Sequence, residues 1–433
     1  MRVFVLNMRG QALMPCSQRK ARLLLKDGKA VIVKYNPFTI QLKYATGEAK
    51  QSCNIGIDTG ARHIGVAITS GKKVFYKGEI ELRQDISSLL ETRKIYRRSR
   101  RNRKTRYRQA RFLNRKKPKG WLPPSLQSRV NAINMWIDRF CELIPRELST
   151  LRIEVGKFDA AKMINPDIGG VDYQHGQTYG YYDVRYYVFA RDEYTCQVCK
   201  KKDKILNTHH IVFKSMGGTD RADNLITVCT DCHTSAAHKE GGILYKWCKE
   251  HKKVKQYKET AFMNALRIRM YNRIFNVFCR NITYGSETVA NRKALGLEKT
   301  HYNDAIAISG IKEINENPDE WIIIRQFRKK KRSLHEATAR KGRSEPNRTQ
   351  TRNCKNVKCY KGFYLNDHVE AFGKTGFITG FTKGAIYVKD GNDEYITIPG
   401  KSYKQIGISN IKLLYRGNGW QFIPQLKQGD FLL

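Results

Sequence analysis

Two cysteine pairs, Cys196-x2-Cys199 and Cys229-x2-Cys232, have the spacing with which a tight turn offers two tetrahedral vertices to one soft metal ion. In a reducing compartment such pairs read as structural zinc. Five more residues crowd the same stretch: the doublet His209-His210, Asn224 within Asp223-Asn224-Leu225, then His233 and His238. The glycine pair Gly217-Gly218 lies between them. A plain zinc ribbon, acting as a binding module, needs none of these histidines. Imidazoles titrate near neutral pH and ligate divalent ions, so their clustering beside a zinc staple suits hydrolysis by an activated water.

Three carboxylates stand apart from that stretch. Asp58 closes the run Cys53-Asn54-Ile55-Gly56-Ile57-Asp58, and period-two alternation turns it away from the face that carries Ile55 and Ile57. Glu154 sits likewise between Ile153 and Val155, and Asp304 opens the apolar helix Ala305-Ile306-Ala307-Ile308 with His301 one turn back on the same side. Any one of these acids alone would read as a solvated surface group.

The elements that position them follow from periodicity. Residues 1–50 read as a small α+β unit, with strands at Val3, Val5 and Ala30–Val33 and a short helix from Arg19 to Lys26. The strand ending at Asp58, a turn at Thr59-Gly60, a strand Ile64–Thr69 and a third over 73–82 predict an antiparallel meander. Apolar positions Val130, Ile133, Trp136, Ile137 and Phe140 predict a helix over 125–145, and a strand Leu151–Val155 follows. The Cys/His insert occupies 190–240, and a helical pattern resumes over 255–282. The tail, 360–433, is rich in Gly, Val, Ile, Tyr and Phe with frequent turn signals, which predicts a small β-barrel. No internal repeat is present.

Lys plus Arg number 81 against 39 Asp plus Glu, a formal net charge of +42, so the expected partner is a polyanion. Hydrophobics at 40% and aromatics at 11% exclude a disordered basic tail. The charge is concentrated. Between Arg93 and Lys117, 14 of 25 residues are Lys or Arg, none is acidic and neither Gly nor Pro intervenes. A helix there would gain its order on a polyanion, since alone in water self-repulsion disfavours it. A second basic region, Arg325 to Lys358, has 13 Lys or Arg opposed only by Glu336 and Glu345. No apolar run reaches membrane length and no signal-peptide core opens the chain, so the expectation is a cytoplasmic protein of prokaryotic type, active at the nucleoid, with its 11 cysteines reduced.

The Cys/His insert resembles the HNH nuclease motif, a hairpin and helix around one catalytic metal. That resemblance implies His210 as general base, His209 and His233 as ligands of one Mg2+, and His238 as the third ligand. Asn224 would orient the base or join the coordination. Four residues separate His233 from His238, where many HNH motifs have three. The three acids together resemble the RuvC nuclease, an RNase H-like fold. There a strand-borne Asp, a second-strand Glu and a helix-borne HxxD converge on two Mg2+ ions, which Asp58, Glu154 and Asp304 would hold, with His301 as base or phosphate contact. An Arg-rich helix after the first RuvC segment and an HNH domain between the second and third is the layout of the type II CRISPR effectors and of their smaller transposon-encoded relatives, the IscB proteins. At 433 residues there is no room for a large recognition lobe, so the chain resembles IscB. The likeness continues in Leu13-Met14-Pro15, near that family's PLMP signature but with Ala12 for its first proline, and in Asn36-Pro37-Phe38-Thr39-Ile40. It extends through Arg111-Phe112 to Gly120-Trp121-Leu122, through Tyr173-Gln174 to Tyr179-Gly180, and into Thr283-Tyr284-Gly285. It covers most of residues 1–330, and the tail matches less well.

The architecture so implied is α/β and multidomain. A PLMP-like domain (1–50) precedes an RNase H-like mixed sheet split into segments 51–88, 121–165 and 250–335. The Arg-rich bridge helix is 89–120, a linker 166–185 leads to the zinc-stapled ββα-metal HNH domain at 186–245, and 336–433 is a β-rich domain that reads a target-adjacent motif. The resemblance further implies a monomeric protein in a ribonucleoprotein with a guide, the omega RNA, acting on double-stranded DNA. Arg93, Arg97, Arg98, Arg100, Arg101, Arg103, Lys104, Arg106, Arg108, Arg111 and Arg115 would neutralise backbone phosphates of the guide–target duplex without reading bases. The HNH centre would cut the paired strand and the RuvC centre the displaced one. Three rival readings stand beside this one. A protein-only HNH endonuclease would leave the three acids unexplained, and a non-enzymatic RNA-binding zinc-ribbon protein would leave His209, His210, Asn224 and Asp304 idle. A transposase on the RNase H fold would not normally carry an HNH insert.

Overall fold

Short apolar, β-branched runs separated by turns make six strands between Phe4 and Glu81. The computed structural model describes residues 1–47, 49–101, 118, 120–159, 161–163, 167–213, 218–251, 258–274, 280–327, 359–382, 384–417 and 419–426. It opens with β1 (Phe4–Leu6), α1 (Gln18–Lys26), β2 (Ala30–Tyr35) and β3 (Phe38–Leu42). The Ser17 hydroxyl accepts from the Lys20 N–H and so caps α1. The three strands form a sheet in the order β1-β3-β2 over a small core of Val3, Val5, Leu13, Ala21, Ile40 and Leu42.

There follow β4 (Asn54–Thr59), β5 (His63–Ser70), β6 (Lys73–Glu81), α2 (Ile86–Arg101), α3 (Pro124–Cys141) and β7 (Thr150–Glu154). Next come α4 (Val184–Arg191), β8 (Leu206–His210), β9 (Leu225–Cys229), α5 (Ile243–Glu250) and α6 (Lys258–Ile274). The chain continues through β10 (Arg280–Thr283), α7 (Gly285–Ala294), α8 (His301–Ile308) and β11 (Glu320–Gln326). Contacts divide the chain into two units: Met1–Gly156 with Phe262–Leu433, and Lys157–Ala261.

The first unit is built on a seven-stranded mixed sheet, which also takes in the last strand, β19 (Trp420–Leu426), in the order β10-β7-β4-β5-β6-β11-β19. β10, β7 and β4 run parallel, β5 is antiparallel to both its neighbours, and β11 is parallel to β6. Alternation sorts the residues of this sheet. Ile55, Ile57, Ile64, Val66 and Ile80 face Ile133, Trp136, Ile137 and Phe140 of α3, and each such buried side chain contributes about 1.5–3 kcal/mol. The opposite face, with Gly56, Gly65 and Ala67, receives α8.

The tail departs from the expected barrel. β12 (Cys359–Tyr360) and β13 (Phe363–Tyr364) form a hairpin. β14 (His368–Ala371), β15 (Lys374–Phe381), β16 (Ala385–Lys389), β17 (Ile406–Gly407) and β18 (Lys412–Tyr415) form an open sheet in the order β17-β16-β15-β14-β18. β19 leaves this group for the main sheet because Trp420 and Phe422 pack edge-on against Trp136, with ring centroids 5.2 and 5.7 Å apart. Turn chemistry marks strands but does not say which sheet they join.

The second unit pairs β8 with β9, antiparallel, over a core of Cys196, Ile226, Val228, Cys229, Leu244 and Cys248. Among the described residues no helix is long and apolar enough to cross a membrane.

Candidate functional site

In the second unit the four thiols of Cys196, Cys199, Cys229 and Cys232 lie within 4.8 Å of one another, with Cys199 Sγ 3.7 Å from Cys229 Sγ. Cys229 ends β9, and the turn after it brings back Cys232 and His233. Four converging thiols fit a tetrahedral zinc site.

Adjacent residues of a strand point to opposite faces, and β8 uses that to separate the histidine doublet. His209 is buried and joins His233 and His238, the ring nitrogens of the three lying within 4.8 Å of one another. His209 Nδ1 is 3.2 Å from His233 Nε2, while His209 Nε2 is buried with no hydrogen-bond partner. Burial, and then the neighbouring rings of His238, His233 and His210, push His209 down to about 4. Burial likewise lowers His233, with His238 adding to it. Three converging imidazoles and an orphaned buried nitrogen are what a divalent cation would satisfy.

His210, on the other face, contacts Asp220 Oδ1 through Nε2 at 2.8 Å. Asn224 is buried and its amide is committed to backbone. Oδ1 accepts from the Val212 N–H at 2.9 Å, and Nδ2 donates to the carbonyls of Val212 and Thr219 at 3.1 and 2.8 Å. Asn224 thereby fixes the ends of the loop that presents His210 and Asp220. Gly217 of the glycine pair lies outside the described residues.

In the first unit, β4 pairs with β7 so that Ile57 stands opposite Ile153, which sets Asp58 and Glu154 side by side on the face toward α8. The Thr59 hydroxyl donates to the Glu154 carbonyl at 2.7 Å and holds the two strand ends together. Thr300 caps α8, its hydroxyl accepting from the Asn303 N–H, and so places Asp304 in the first turn. Close approach of α8 requires glycines beneath it. A Cβ on Gly65 would collide with the His301 carbonyl, and one on Gly56 with the Ala305 carbonyl. The Ser309 and Thr69 hydroxyls, 2.9 Å apart, pin the far end of the helix.

Each acid has its own polar partner. His301 Nδ1 is 2.6 Å from Asp58 Oδ2, and the Thr288 hydroxyl donates to Glu154 Oε2 at 2.5 Å. Arg292 Nε lies 2.7 Å from Asp304 Oδ1, but both atoms lack an aligned hydrogen bond, so this is a contact of charges. The three acids do not form a third group with all ligand atoms within 4.8 Å among the described residues. They nonetheless sense one another. Burial, then the charges of Asp58 and Asp304, raise Glu154 against the opposing Thr288 bond. Burial and Asp58 raise Asp304 against Arg292 and His301. The bond to Asp58 raises His301 against its own burial. Glu154 and Asp304, each unsettled by burial and by the Asp58 charge beside it, make with Asp58 a donor set that hard divalent cations relieve.

Of the expected phosphate contacts, Arg93 and Arg97 are exposed on α2, and Arg98, Arg100 and Arg101 continue the backbone of that helix. Arg103, Lys104, Arg106, Arg108, Arg111 and Arg115 lie outside the described residues. Sequence reasoning missed Asp220, Thr288 and Arg292. The spacing of Thr288 and Arg292, one helical turn apart on α7, was the only signal for those two, and Asp220 gave none.

Residues 3–176 match the model of the RRXRR protein family, and residues 196–239 match that of the HNH endonuclease. A stretch of 43 residues, 10% of the chain, is 37% identical to Anaredoxin of Nostoc sp. (strain PCC 7120 / SAG 25.82 / UTEX 2576), and spans 57% of that relative's length. The HNH endonuclease match lies over both the thiol cluster and the histidine cluster, so this segment is similar to a domain that hydrolyses phosphodiester bonds and supports a nuclease.

Proposed function

We propose that the chain is an RNA-guided DNA endonuclease of the IscB kind, with an HNH centre and a second, RuvC-type centre at Asp58, Glu154 and Asp304. The observation that carries the second centre is the sheet order β6-β5-β4-β7-β10 with acids at adjacent parallel strand ends and on the helix packed over them. That order supports the RNase H-like reading, and a protein-only HNH enzyme has no use for it. The net charge of +42 supports a polyanionic partner, and the Arg-rich helix supports a guide RNA paired with DNA.

At the HNH centre, His209, His233 and His238 would hold a divalent cation, which when bound neutralises charge developing on the phosphate. His210 serves as general base. Its Nε2–H donates to Asp220, leaving the Nδ1 lone pair to take a proton from the attacking water. The four cysteines would hold zinc and fasten the hairpin that carries this base. At the other centre Asp58, Glu154 and Asp304 would hold Mg2+. His301, whose proton affinity the bond to Asp58 raises, would offer an N–H to the phosphate.

The test is to purify the protein and sequence whatever nucleic acid accompanies it. A discrete RNA of uniform length, with cutting of a matching DNA lost on RNase treatment, is the expected result. Full cutting by RNase-treated protein would leave an HNH enzyme that needs no guide.

A further inference from the structure

One imidazole at the carboxylate centre has no role in that reading. His63 begins β5, and the alternation that turns Gly65 and Ala67 toward α8 turns His63 the same way. Its ring lies parallel to that of His301, with an interplanar angle of 10° and centroids 5.7 Å apart. Its Nδ1 is 2.7 Å from Glu79 Oε1, as that of His301 is 2.6 Å from Asp58 Oδ2. The His63 contact lacks hydrogen-bond alignment, so Glu79 flanks the ring without taking a hydrogen bond from it. The two imidazoles thus form a tandem, each with a carboxylate at Nδ1 and Nε2 remaining. Both side chains are open to an incoming strand, at 42% and 43% exposure. Among the described residues His63 joins no metal-ligating group.

Three carboxylates repel a phosphodiester, so a strand entering this cleft needs donors beside the acids. We propose that His63 is a second catalytic imidazole of the carboxylate centre, donating through Nε2 to a non-bridging oxygen of the scissile phosphate next to His301. The inference rests on the carboxylate reading above. It assigns to β5 a contact with the cut strand that the three acids and His301 do not supply.

The experiment uses the full chain carrying His210→Ala, so that only the carboxylate centre cuts, on a guided duplex with its strands separately end-labelled. Asp58→Ala in this background should abolish the remaining nick; if it does not, the carboxylate reading itself falls. With that control in place, His63→Ala should slow single-turnover nicking by about 10- to 100-fold at unchanged DNA affinity, the loss expected for one hydrogen bond to a charged group. His63→Gln, which keeps an N–H donor, should recover part of the rate and guards against a variant that fails to fold. Sulphur in place of one non-bridging oxygen should slow the wild-type centre several-fold more than it slows His63→Ala. Wild-type rates for His63→Ala would overturn the inference. So would equal sulphur penalties in both proteins, which would mark His63 as packing for His301 and nothing more.

Discussion

At the scale of the residue, the second unit separates two histidines by one peptide bond and gives them unlike surroundings. His209 is enclosed and neutral, suited to ligation, while His210 keeps a carboxylate on Nε2. Asp220 holds that ring in one tautomer, so Asp220→Ala should slow cutting at the HNH centre by about 10- to 100-fold, as loss of an orienting partner does. Strand-specific kinetics check this: unchanged cutting of the HNH-dependent strand would show that the loop backbone orients His210 unaided. The histidine cluster was legible in the sequence because its members sit at element ends within a thirty-residue window. The partners of the acids were not. Thr288 and Arg292 reach Glu154 and Asp304 only because α7 packs beside α8, and no local pattern announces which acid a helix will face. Asn224 was open to two readings, base orientation or coordination, and its amide is taken up by the loop backbone.

At the scale of the element, the meander of β4 to β6, the helix α3 and the strand β7 were all legible, since one-sided burial writes itself as periodicity. The destination of β19 was not, because its place beside β11 depends on Trp136, nearly three hundred residues away. The seat of α8 makes a sharp prediction. In Gly65→Ala the methyl must displace the His301 backbone, which should cost about 1–3 kcal/mol and slow the carboxylate centre more than the HNH centre. Melting together with strand-specific nicking reads both effects, and equal slowing of the two centres would count against it. The tail sheet carries a pH dependence of its own. Burial pushes His368 down to about 4, below the roughly 6.5 of an unfolded histidine, and its Nδ1 has no hydrogen-bond partner. Between those values the unfolded chain binds more protons than the folded one, so stability falls as pH drops from about 6.5 toward 4 and levels below that. Hydrogen-exchange protection factors in β14 and β15, which divide out the pH dependence of the intrinsic rate, should fall over that window in the wild type and much less in His368→Phe.

At the scale of the whole molecule, each of the two units gathers the side chains of one proposed centre, and the two sets share no described residue. Their activities should therefore separate cleanly. Asp58→Ala should leave a protein that nicks only the strand assigned to the HNH centre, His210→Ala one that nicks only the other, and the double variant should bind without cutting. Double-strand breaks by Asp58→Ala at the wild-type rate would mean that one centre does all the work. The basic composition announced a polyanion, whereas the identity of that polyanion lies in the geometry of residues too far apart in sequence for charge counting to connect.

The glycine seat has a thermal consequence. Where side chains separate two elements, rotamer hopping on warming loosens their spacing well before either melts. Under α8 that padding is absent at Gly56 and Gly65, and main chain rests on main chain like plates bolted face to face. The separation of Asp58 from His301 is then as stiff as the sheet itself. On heating, this centre should keep its full rate until the sheet gives way, and lose it all at once.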